Sequence, residues 1–481
     1  MSGVLLLGVG LALAAGGVHM LPLVGTGLLV VVALLSLRGP GERTSSAEGA
    51  DLVPRRRSRL LIGLLLVNFA YWVSSALLSG LPLSSVFSYG FLRWHLRSIP
   101  GYLPLLAIAV SGYRFSDRDK KVAVCALLIP ATLISLVGAA QYATGFRIAG
   151  YSEGVLPSTV RYDLGEYWFF GFLRAHVTCG GYYSTVALVA LGLFWFWRTD
   201  WWRRGLVFLA LGVSAWGLMF SKARTFVGAF AGAACLMFVY GCWVRLRLRG
   251  TRSAPSADEV RCKGTDRYLP LRPQWVAMAL GAVVAAYCLT PRLHARMRAT
   301  FVEPGADLPS QVAAATKHDR RIFWEAALRL AKRHPVFGAG LGRFGDEYDS
   351  YAHELELPWQ PAGTQHHAHN SWLHVAAELG LVGVGLLLAL WVVSCAWLWG
   401  AVRAQEAGSF GAALSVGVLA AVAAQLAAAL FDHNLWSAQL MIPLTTLIGV
   451  AAFVPASVAT PAGRSPLQSA DARDQASVRT K

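Results

Sequence analysis

The run His366-His367-Ala368-His369-Asn370-Ser371-Trp372-Leu373-His374 concentrates the side chains best suited to proton transfer. Imidazole is the side chain whose unperturbed pKa lies nearest neutrality. The run closes a long polar segment and opens a long apolar one. Asn370 and Ser371 are good helix N-caps, and an apolar helical pattern follows at once, which predicts a helix start here. The dipole at such a start favours a neutral imidazole, the form a general base requires. His369, directly before the predicted cap Asn370, is the candidate base. His367 and His366 are its rivals. His374, about one turn into the helix, is expected to pack or orient. Zinc is a competing reading. However, one residue separates His367 from His369 and no acidic residue follows at HExxH spacing. No metal or other cofactor is expected.

Cations form the second candidate group. Lys222 and Arg224 occupy a tight turn between two apolar runs, and Arg174 and His176 precede another. Arg320 and Arg321 open a helical pattern that Asp319 can cap and Pro335 ends, with Ile322, Phe323, Ala326, Ala327 and Leu330 at helical spacing. Arginines in a first helical turn oppose the dipole, and a bound anion would offset that cost. A single arginine near a bilayer can equally contact lipid headgroups. Convergence of several from separate segments points to a phosphate-bearing ligand.

The elements that must position these groups are membrane helices. The chain has 481 residues, 55% hydrophobic and only 14% charged, whereas soluble chains carry about a quarter charged residues. Window length gives about twelve apolar spans. They are expected at 4–17, 21–37, 60–78, 102–113, 122–143, 181–197, 206–220, 226–244, 275–289, 372–399, 412–430 and 439–453. The fold class is therefore all-α and polytopic. Residues 1–291 hold spans one to nine, 292–370 one large helical loop forming a small domain or lid, 371–454 the last three spans, and 455–481 a disordered tail. Residues 87–97, rich in aromatic and basic side chains, could lie flat at the interface.

The formal net charge is +17. Its basic residues collect in the loops after spans two, four, six and eight. By the positive-inside rule that side, with both termini, is cytoplasmic, and the large loop, the histidine run and the 221–225 turn face outward. The scatter of basic residues between spans argues against a nucleic-acid partner.

The seven cysteines form no CxxC pair and mostly lie in apolar runs, as small core residues. Gly338-Ala339-Gly340-Leu341-Gly342 lacks the βαβ context of a nucleotide loop and reads as turn glycines. Asp346, Glu347 and Asp349 read as a solvated acidic face. Asp432-His433-Asn434 is a short turn able to reach the same cavity as the histidines.

Three segments in order resemble the O-antigen ligase and polymerase superfamily. These are the Ser-Lys-Ala-Arg turn at 221–224, Arg320 to Trp324 with Pro335 and the 338–342 glycines, and His369-Asn370-Ser371-Trp372-Leu373 with Glu378-Leu379-Gly380-Leu381-Val382-Gly383. One dominant late outer loop is similar to the lipopolysaccharide ligases of that group. Polymerases tend to show two such loops, and protein O-glycosylating relatives share the core motifs. The resemblance implies a GT-C-like membrane fold at the periplasmic face of a bacterial inner membrane. It implies an undecaprenyl diphosphate-linked O-antigen donor and a lipid A-core acceptor, both among membrane lipids. Carried over by motif, Arg224 and Arg320 would hold the diphosphate and His369 would activate the acceptor. Arg174 matches less closely, and the Arg320-Arg321 doublet leaves the register of the functional arginine open. A lipid transporter is the alternative of another class. It would show internal repeats and charges near mid-span, which are not evident here.

Overall fold

A computed structural model describes residues 52–80, 98–111, 114–144, 160–163, 166–169, 176–250, 320–355 and 367–453. The expected spans at 4–17, 21–37 and 275–289, the 87–97 stretch, Arg174, His366 and the C-terminal tail lie outside the described residues. Of His176 and Arg321 only the backbone is described.

The helices, numbered through the described residues, are α1 (Leu52–Leu77), α2 (Ser98–Ser111), α3 (Asp117–Thr144), α4 (His176–Phe196), α5 (Trp201–Phe220), α6 (Arg224–Gly250), α7 (Arg320–Arg333), α8 (Phe344–Glu354), α9 (Ser371–Ala404), α10 (Phe410–Ala428) and α11 (Ala438–Ala452). Seven of them are long and apolar enough to cross a membrane, and α2 and α11 are shorter apolar helices. Every described span coincides with an expected one. The all-α expectation needs one addition, an antiparallel hairpin of β1 (Val160–Asp163) and β2 (Glu166–Phe169).

α4 and α10 form the buried centre, while α5 and α6 present large apolar side chains outward, as lipid-facing helices do. The central pair approaches closely because both sides are glycine. A Cβ on Gly192 would stand 2.6 Å from Cα of Gly417. Small residues at a crossing let membrane helices pack backbone to backbone.

α9 and α10 share both ends. Ser371 N donates to Ala429 O at 2.9 Å, and Gln405 Nε2 donates to Ser415 Oγ at 3.2 Å. At 1.5 Å per residue α9 is about 51 Å long and α10 about 28 Å, so α9 must bend. It breaks at Gly380, where φ is 63° and ψ −168°. The glycine-rich turn fills the break. Leu381 N donates to Pro335 O at 2.9 Å, Val382 N to Val336 O at 3.1 Å, Ala339 N to Ala377 O at 3.0 Å and Gly340 N to Glu378 O at 3.0 Å. A Cβ on Gly338 would lie 2.3 Å from the Glu378 carbonyl. Those glycines are turn and packing residues, as expected. They pin α7 and α8 across the end of the bundle. α7 and α8 have their own small core of Phe323, Ala326, Ala327, Leu330, Phe344, Tyr348 and Tyr351.

Candidate functional site

Asn370 builds the start of α9. Its extended backbone turns its Oδ1 to accept from Trp372 N and Leu373 N, both at 3.0 Å. Its amide donates to Leu430 O at 2.7 Å, tying the cap to the end of α10. The expected cap is thus present and is also an anchor. His369, just outside the cap, has φ 49°, a left-handed conformation that costs a non-glycine residue energy. That turn sets its ring against Phe323 of α7 at 5.1 Å and against His367 at 4.3 Å.

The imidazoles continue inward as an array. His367 stacks flat on His433 at 4.5 Å with planes 4° apart. His433 meets His374 edge to face at 4.6 Å. His374 is buried, 3.4 Å from Glu378 through Nε2 and 6.0 Å from the Trp436 ring. Stacked faces carry no lone pairs toward each other, and among the described residues no three His, Cys, Asp or Glu side chains gather as metal ligands do.

His433 belongs to the 429–437 turn, which is fixed from several directions. Ser371 Oγ donates to Asp432 O at 2.9 Å. Asn434 Nδ2 donates to Gln425 O at 2.7 Å and to Gln425 Oε1 at 2.8 Å. Gln425 Nε2 in turn donates to Gly181 O of α4 at 2.8 Å. Backbone carbonyls freed at helix ends are thereby satisfied inside the protein.

Arg320 opens α7 and reaches this turn. Its Nη2 lies 3.5 Å from Asp432 Oδ2, and its Nη1 donates to Phe431 O. The buried carboxylate offsets an arginine in a first helical turn, a role the sequence left to a bound anion. Burial pushes Asp432 up to about 6, against the opposing pull of the Arg320 charge and the His433 backbone N–H. The Arg320 side chain is 41% exposed, so part of its donor fork faces solvent.

Lys222 and Arg224 sit at the same end of the bundle, on the turn between α5 and α6. Ser221 Oγ donates to Leu218 O at 2.6 Å, Lys222 takes φ 55°, and Ala223 packs on Gly180. A Cβ on Gly180 would lie 2.3 Å from Ala223 Cβ, so the turn and α4 are in direct contact. Arg224 is exposed at the start of α6.

The structure therefore gathers His367, His369, Asn370 and Arg320, and sets Lys222 and Arg224 on a turn packed against the start of α4. Sequence placed Asp432 and His433 in a turn able to reach the same cavity, but assigned no role to them or to Glu378. Their signals were a polar triplet between two apolar spans and a carboxylate inside an apolar span, both of which mark function in membrane proteins.

Fold and site define a polytopic helical membrane protein with a histidine array and an arginine–carboxylate pair at one end of its bundle. Residues 169–388 match the family described as O-antigen ligase. Comparison with curated proteins gives no match.

Proposed function

We propose that the protein is a glycosyltransferase of the lipopolysaccharide O-antigen ligase type, acting at the periplasmic face of the inner membrane. It moves an O-antigen glycan from undecaprenyl diphosphate to a sugar hydroxyl of lipid A-core. The observation that carries this reading is the convergence of His369, His367, His374 and Arg320, all within the segment that matches the family, on the 429–437 turn beside the start of α9.

In this mechanism His369 removes the proton of the acceptor hydroxyl as its oxygen attacks the anomeric carbon. The glycosyl–phosphate bond breaks and the lipid diphosphate leaves. Arg320 and Arg224 hold that diphosphate and stabilise its developing charge. Asp432 orients the Arg320 fork while its free edge faces the ligand. Arg321, Arg174 and Lys222 are secondary anion contacts, and His367 and Asn370 support the base. A lipid diphosphate is already a good leaving group, so the reaction as written calls for no nucleotide, metal or other cofactor.

The orientation follows from charge. The opposite end of the bundle carries Lys120, Lys121, Arg198, Arg203 and Arg403, the cation-rich side expected in the cytoplasm.

The test mixes purified protein with a lipid-diphosphate glycan and a lipid A-core acceptor. The expected product is glycan joined to lipid A-core. Lengthened lipid-linked glycan with no transfer to the acceptor would instead make it a polymerase.

A further inference from the structure

The transfer written above does not use the buried carboxylate of Glu378. Glu378 is 0% exposed on α9. Such burial is costly unless the group is paired and hydrogen-bonded. Oε1 accepts from the N–H of Phe344, the first residue of α8, at 3.0 Å, and the Gly342 backbone also hydrogen-bonds to the carboxylate. Oε2 lies 3.4 Å from Nε2 of the buried His374. An ionised carboxylate at this distance favours the proton on Nε2 and so selects tautomer and ring plane, although Oε2 makes no hydrogen bond in this geometry. Phe344 and Trp436 close the other sides of the ring at 5.6 and 6.0 Å. The titratable groups facing the pair are His433 from the 429–437 turn and Asp346 from α8.

We propose that Glu378 is a positioning residue for the histidine array. By facing Nε2 of His374 at 3.4 Å it sets that ring, and the ring contacts through His433 and His367 carry that setting to His369. Its second oxygen holds the start of α8, so one carboxylate aligns both the imidazoles and the helices laid across them. The inference rests on the proposed role of His369 for its consequence in catalysis, and on geometry alone for the tautomer.

Glu378→Gln keeps the shape and the acceptor for Phe344, but turns an amide N–H toward His374. Nε2 must then accept, and the imidazole proton moves to Nδ1. In protein carrying 15N-labelled histidine, the His374 resonances are assigned by their loss in His374→Phe. They should report Nε2–H in the wild type and Nδ1–H in Glu378→Gln. This readout needs no activity, so it stands even if the transfer reaction is not the one proposed. An Nδ1–H tautomer in the wild type, or one tautomer in both proteins, overturns the proposal; the wild-type spectrum decides if the variant fails to fold. In the transfer assay Glu378→Gln should lower kcat roughly 10- to 100-fold, as outer-shell partners of metal-bound imidazoles do, with donor KM unchanged. It should add nothing in a His374→Phe background. Losses that multiply in the double variant would mean that Glu378 only supports the fold, and would overturn the proposal.

Discussion

The two ends of α10 solve the same problem differently. At one end Ser409 caps α10, and Lys120 lies near Asp117 on its own helix and bonds Gln405. Asp200 and Arg203 pair three residues apart. Apart from the Lys120–Gln405 bond, the side-chain pairs named there join near neighbours in sequence. At the other end Arg320 reaches Asp432, Phe344 reaches Glu378, and Asn370 reaches Leu430. Those partners come from separate elements. Charges paired locally mark topology, whereas charges and imidazoles paired across the fold mark a site.

The largest way to break this contrast is at the bend that brings the far partners together. Gly380→Ala places a Cβ 2.3 Å from Val336 O in a left-handed conformation. Strain and clash together should cost more than ~3 kcal/mol. Thermal unfolding in detergent should show a large loss, and a variant as stable as the wild type would mean that the bend is not needed.

The contrast also explains what was legible. The described spans, the Asn370 cap, the turn role of the glycines and the helix from Arg320 followed from periodicity and local chemistry. The break in α9 did not, because Gly380 sits in an apolar span that also holds several other glycines, and only packing against residues 335–338 reveals it. Nor did the Arg320–Asp432 pair. The sequence placed both groups on the outer face, but nothing local ties a helix start to a turn two spans later. The hairpin at 160–169 was hidden within a polar, aromatic segment.

Next in size is Arg320→Ala. Loss of one donor that stabilises developing charge typically costs about 10²–10³ in rate. Donor use should fall by that order, and Arg320→Lys should rescue only partly because the bidentate fork is gone. Unchanged donor binding and turnover would shift the role to Arg224 or Arg321.

Asp432→Asn sharpens the same pair. Its carboxyl is raised to about 6, so it binds protons more readily folded than unfolded. Its ionisation therefore lowers stability as pH rises from the ordinary carboxylate range through about 6, while the ion pair with Arg320 forms over the same interval. Donor affinity measured against pH should show an inflection near 6 that the asparagine variant lacks. An identical profile in both would remove Asp432 from the site.

The smallest effect belongs to the opposite end. Arg203→Ala breaks an exposed pair and should change stability by no more than about 0.5 kcal/mol, with transfer unaltered. A strong loss of transfer would undo the division between the two ends.

The central claim is tested most directly by the rate of glycan transfer in His369→Ala, measured against pH in protein shown to bind donor normally. A positioned base contributes roughly 10²–10⁴-fold, so the variant should lose that much. The wild-type rate should rise with pH through one ionisation near neutrality, and that limb should vanish in the variant. A folded His369→Ala protein that turns over at a near-normal rate would contradict the account, and would leave His367 as the residue to examine.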